Sequence, residues 1–215
     1  MQNLIKTAGA IILIAGTQVT LASDHHVVRE HIIDASDITE FRIDAGVGVL
    51  DVDPSEDNEL RIELEIEGNR QGFFRRGKRD VTDLDVEIKK RGDILYVELN
   101  DDDFDDLELH WRITLPSLER THLDLSVGQI NAKLGATALD VELGVGEANI
   151  SAPHTYVGNI EVDVGVGSAK LRGADNIKSD RAIVSEEVVG NGFGHMDMTV
   201  DVGVGEANVK LSPAS

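Results

Sequence analysis

At 215 residues the chain can hold one good-sized domain or two small ones, and 41% hydrophobic residues are enough to build a core. With five Phe, two Tyr and one Trp that core must be aliphatic, and the lack of cysteine excludes disulfides, thiolate metal sites and cysteine nucleophiles. Forty acidic against 20 basic residues give a formal charge of −20, which repels phosphate and argues against nucleic acid as a partner.

The first 23 residues read as an export signal. Met1 to Ser23 has no acidic residue and one base, Lys6. An apolar stretch, Ala8 to Gly16, precedes small and polar residues ending Ala22-Ser23. A basic start, an apolar middle and a small-residue cleavage site form a signal peptide, and the middle is too short to span a bilayer. Cleavage near Ala22 or Ser23 would leave a periplasmic or secreted protein. Residues 24–37 are expected as a flexible mature N-terminus, in which His25, His26 and His31 would be loose.

From residue 38 the chain alternates apolar and polar side chains. Phe41-Arg-Ile43, Leu60 to Ile66, Leu84 to Ile88, Ile94 to Leu99, Leu107 to Leu115 and Leu123-Asp-Leu125 all have a period of two, which puts one side-chain set inward and the other in solvent. Residues 38–118 are expected as a less regular β region with charged hairpin loops. One loop is basic and holds Phe73, Phe74, Arg75, Arg76, Lys78 and Arg79, while Asp101 to Asp106 is acidic.

Residues 119–215 repeat. Five segments share the order acidic, apolar, Gly or Ser, Val, Gly: Asp44 to Gly48, Asp124 to Gly128, Glu142 to Gly146, Asp163 to Gly167 and Asp201 to Gly205. The last glycine of four of them recurs at 128, 146, 167 and 205, and the final interval reads as two periods with a degenerate copy near Ile183–Gly194. Ile160, Val162, Val164 and Val166 point one way, and Ala169 and Leu171 follow out of phase. A glycine bend at Gly167-Ser168 produces that slip. Gly46, Gly48, Gly128, Gly144, Gly146, Gly165, Gly167, Gly203 and Gly205 are therefore structural turns, and stacked units of strand, corner and strand predict a β-solenoid.

The chain resembles the bacterial putative-adhesin (Toastrack-like) families. The residues that carry the resemblance are Phe41 to Val52, Trp111 to Ser117 ending in Leu-Pro-Ser, and the repeated Gly-x-Gly turn, together covering roughly residues 38–212. The resemblance implies an exported, envelope-facing protein, all-β, with an irregular N-terminal region followed by a right-handed parallel β-helix. It implies no catalytic residues.

Three constellations follow. Asp44, Asp124, Glu142, Asp163 and Asp201 should form an acidic column, read either as a solvated face or as a loose Ca²⁺ site, since hard cations favour clustered carboxylates. Nothing else calls for a cofactor. The basic loop with Phe73 and Phe74 is either a hairpin tip paired with the acidic loop or a peripheral membrane or polyanion contact. Self-association is expected if the end strands are uncapped. The favoured function is a non-enzymatic scaffold or adhesin-like module for an envelope protein or glycan. The alternative is a polysaccharide-acting enzyme with paired carboxylates.

Overall fold

The computed structural model describes residues 14–69 and 78–213. The chain runs through β1 (Ile14–Ser23), β2 (His26–Asp34), β3 (Glu40–Asp44), β4 (Val47–Pro54) and β5 (Glu59–Gly68). Next come β6 (Val86–Arg91), β7 (Ile94–Leu99) and β8 (Leu107–Leu115). The repeats supply β9 (Arg120–Lys133), β10 (Ala138–Pro153) and β11 (Val157–Arg172), then a hairpin of β12 (Asp175–Arg181) and β13 (Glu186–Asn191), and finally β14 (Met196–Ser212).

The repeat strands are 14 to 17 residues long, more than twice the usual strand, because each is bent at its glycine corner. In β9, Leu123 and Leu125 are buried before the corner and Ile130 and Ala132 after it. The inward phase thus moves from odd to even positions across Ser126–Gln129, so both arms bury one face on the same side. β3 and β4 are the same unit, broken at Ala45-Gly46. Their arms pair with the first and second arms of β9.

The first arms form a sheet ordered β6-β7-β3-β9-β10-β14-β11-β13-β12, and the second arms form one ordered β1-β2-β5-β8-β4-β9-β10-β14-β11. The molecule is one sheet folded along a line of corners, with a single aliphatic core in the fold. The bend also explains the short links. Parallel neighbours normally need a crossover of a dozen or more residues. Here residues 134–137 suffice between β9 and β10, because the bent strand has already turned the chain back.

The corner line fixes the register. Gly128, Gly146, Gly205 and Gly167 stack in that order on Gly48, each with φ between 144° and 148°. A methyl group on Gly146 would lie 1.7 Å from the Gly128 carbonyl oxygen. Glycine is the residue type that meets both the backbone angle and the close approach.

The expectation of a right-handed parallel β-helix is corrected in two ways. The sheet has mixed orientation: β2, β5 and β8 pair antiparallel, as do β6 with β7 and β11 with β13. The repeats also do not stack in chain order, because β14 lies between β10 and β11, parallel and in register with both. Each repeat presents the same corner and the same small and aliphatic inward residues, so the last one fits the gap left between two earlier ones. The stretch 183–194 is not a degenerate rung, since β13 runs antiparallel to β11.

The expected flexible N-terminus is also corrected. Strand β2 pairs with β1 on one side and β5 on the other, and Val27, Arg29, His31 and Ile33 are buried. Arg29 donates to the carbonyls of Leu84 (2.8 Å) and Thr82 (2.6 Å), which anchors the start of β6. Strand β1 lies within the stretch read as an export signal, and residues 1–13 of that stretch are outside the described residues. The two ends of the first-arm sheet are the outer strands of antiparallel hairpins, β6 and β12, both short and charged. Short length and charge on an edge strand oppose edge-to-edge pairing.

Candidate functional site

The acidic column forms, and it is longer than its five expected members. Register places Glu87, Glu98, Asp44, Asp124, Glu142, Asp201, Asp163, Glu187 and Asp180 side by side on consecutive strands. At the usual strand spacing this ladder is about 40 Å long. Lys89 offsets part of the charge at one end by pairing with both Glu87 (3.0 Å) and Glu98 (2.8 Å). Asp44 accepts a hydrogen bond from the Gly46 amide at 3.1 Å.

At the centre of the ladder the carboxylates repel one another, with His122 offsetting part of this at Asp124. Burial, then Asp44 and Glu142, push the Asp124 carboxyl above its ordinary value. Burial, then Asp163 and Glu142, do the same to Asp201. A carboxyl raised in the folded state binds its proton more readily there than in the unfolded chain. It therefore lowers stability at neutral pH, and that loss is relieved as pH falls through the raised value toward 3.8. Asp201→Asn should raise the melting temperature at pH 7, with the gain shrinking as the pH approaches 4. Thermal melts of both proteins across that range check this, and a pH-independent difference would contradict it.

Among the described residues no three His, Asp or Glu side chains converge on one point as metal ligands. The carboxylates sit one per strand in a row, so calcium there would be a counter-ion drawn by the field and not an ion held by a ligand set.

Beside the ladder lie two further rows. Ser126, Gly144 and Gly203 follow the acidic positions by two residues and floor a shallow trough of about 510 Å³ that Asp124, Glu142 and Asp201 flank. One residue later, Val47, Val127, Val145, Val204 and Val166 align across five strands. Four of them are 46–50% exposed. Val166, expected inward with Val164, is thus turned outward, because the corner spans Gly165 to Ser168 and not one glycine bond. Val184 extends this ridge, since its carbonyl accepts from the Gly167 amide at 3.0 Å. The ridge was in the sequence as the invariant Val of the repeat, but alternation alone assigns that Val to the core.

The second-arm sheet carries a concave groove of about 1060 Å³ on its outer face. Three of its four carboxylates are tied to cations or amides: Asp53 to Lys133 (2.9 Å), Glu63 to Arg112, and Asp51 to His110 (2.7 Å) and Asn131 (2.8 Å); Glu30 is the fourth. Partial burial pushes Asp51 up, but the hydrogen bonds from His110 and Asn131 outweigh it and hold the carboxyl below its usual value. Asp51 thus lacks the proton a glycosidase acid keeps near neutral pH.

Of the basic-loop residues, Phe73, Phe74, Arg75 and Arg76 lie outside the described residues. Arg79 is turned onto the acidic loop, donating to Asp101 (2.7 Å) and to the carbonyls of Asp103 (2.8 Å) and Asp105 (2.7 Å). Lys78 pairs with Glu67 at 2.7 Å. Neither is a bare cation for a membrane. Phe104, from the acidic loop, packs against Gly46, where a methyl group would meet its ring at 2.3 Å.

No family model and no curated protein matches the chain. Among solved structures, a putative cell adhesion protein from Clostridium sporogenes is similar with a TM-score of 0.50 and 15% identity, over 86% of this chain and all of that one. A putative adhesin from Parabacteroides merdae covers 68% of this chain and 61% of its own at 12% identity and a TM-score of 0.30. The likeness to the first is one of fold.

Proposed function

We propose that this chain is a non-enzymatic, exported, adhesin-like interaction module whose docking surface is the acidic ladder with the valine ridge beside it. One observation carries the reading: a row of carboxylates, a trough of small residues and a row of half-exposed valines run parallel across β9, β10, β14 and β11. Like charges at strand spacing favour a partner that brings positive charge, and exposed aliphatic side chains in a line favour one that also brings apolar groups. The partner is a protein surface with Lys or Arg alternating with aliphatic residues. The residues before Ser23 support export into the periplasm or beyond it, and signal cleavage would remove β1 and leave β2 as the edge of the second-arm sheet.

A peptide alternating Lys and Leu tests the surface by fluorescence anisotropy. Binding should weaken about tenfold on Glu142→Gln with Asp201→Asn, and about tenfold on Val145→Ser with Val204→Ser, a cost near 1.4 kcal/mol each. The charge component should fade with added salt. Equal affinity for the parent and both variants would sink the proposal.

A further inference from the structure

The groove on the second-arm sheet differs in its two halves. On β2, β5, β8 and β4 it is lined by charges of both signs, the acids Glu30, Asp51, Asp53 and Glu63 beside Arg61 and Arg112, with Glu63 paired to Arg112 and Asp53 reaching across to Lys133 of β9. On β9, β10, β14 and β11, no lining residue is acidic, although the chain carries 40 acidic residues. That half holds Lys133, Lys170, Arg172 and Lys210. Arg172 and Lys210 are neighbours in register, and among the described residues no carboxylate is placed against either. Lys170 is held by Glu206, which stands one row nearer the corner.

The same half contains a chain of amides. Asn208 donates to Asn149 at 3.1 Å, Asn149 donates to Asn131 at 3.2 Å, and Asn131 donates to Asp51 at 2.8 Å. Asp51 pins one end, so the three amides share one orientation. In Asn149 and Asn131 this chain occupies one N–H and one oxygen lone pair, leaving one of each per strand. A donor and an acceptor side by side, repeated about every 4.8 Å, match groups that both donate and accept, as sugar hydroxyls do. Ser151, between Lys210 and Lys133 in register, adds another such group.

We infer that this half-groove binds an anionic oligosaccharide lying across the strands, with its hydroxyls on the Asn131–Asn149–Asn208 ladder and its acidic groups on Arg172 and Lys210. The site is separate from the acidic ladder, which lies on the first arms.

Isothermal titration with oligogalacturonate, dextran sulfate, plain dextran and polyglutamate tests it. At least one anionic glycan should bind, and the choice between carboxylate and sulfate identifies the anion. Plain dextran and polyglutamate should bind at least tenfold more weakly. Arg172→Gln with Lys210→Gln, and separately Asn149→Ala, should each weaken the anionic glycan about tenfold while circular dichroism stays unchanged. If a variant unfolds, Lys210→Gln alone is read instead. Glu142→Gln should leave this binding intact, which separates the outcome from that of the ladder. No binding of either anionic glycan, equal binding of polyglutamate, or indifference to the groove substitutions would overturn the assignment.

Discussion

Gly146→Ala should remove about 3–4 kcal/mol of folding stability, a large share of what a domain has. Two costs act together. The residue has φ +146°, which L side chains rarely adopt, and its methyl group would lie 1.7 Å from the Gly128 carbonyl oxygen, where only backbone could yield. Gly146 also sits in the middle of the corner column, with Gly205 stacked on its other side, so a shift there propagates to both neighbours. Gly92→Ala is the control. It has φ +68° with nothing within 4 Å of an added methyl, so it should lose only about 1–2 kcal/mol from backbone strain. Urea unfolding of the two variants should separate them clearly, and equal losses would contradict the stacked-corner geometry.

Trp111→Ala should cost about 3–5 kcal/mol. Trp111 is fully buried in β8, in register with Leu64 of β5 and Leu50 of β4. Its indole N–H donates to the Ala45 carbonyl at 3.1 Å, at the corner where β3 becomes β4. The Ala45 amide in turn donates to the backbone carbonyl of Asp124 on β9 at 2.9 Å. The one tryptophan therefore ties the antiparallel N-terminal strands to the first corner of the stack. Trp111→Phe keeps most of the apolar area but leaves the Ala45 carbonyl unpaired, which should cost about 1–3 kcal/mol. If Phe proved as costly as Ala, packing alone would not explain the site.

Strand positions and the corner slip were legible because one face of each strand is buried, which forces a period of two, and because glycine marks the bend. The acidic column was legible for the same reason, since repeats in register must align equivalent residues. Its extension through Glu98 and Glu87 was not, because cross-strand register between a repeat and a hairpin leaves no trace in either sequence. Strand β2 was missed because its inward set, Val27, Arg29, His31 and Ile33, includes two polar residues that obscure the alternation. Arg29 and His31 are inward because they meet the 82–85 segment, His31 Nε2 lying 3.3 Å from Asp85. The place of β14 was hidden by the repeat itself, because strands with the same corner can stack in any order. The groove was missed because its bases and asparagines are far apart in the chain and meet only through that order.

Both proposed surfaces depend on β14 lying between β10 and β11, and a chain without cysteine allows that to be tested with engineered pairs. Glu142→Cys with Asp201→Cys places the thiols on adjacent strands about 4.8 Å apart, within disulfide reach. Glu142→Cys with Asp163→Cys places them two strands apart, about 10 Å, beyond it. Under mild oxidation the first pair should form an intramolecular disulfide and the second should not. The opposite result, with residues 142 and 163 bridged and 142 and 201 free, would show repeats stacked in chain order and contradict the account.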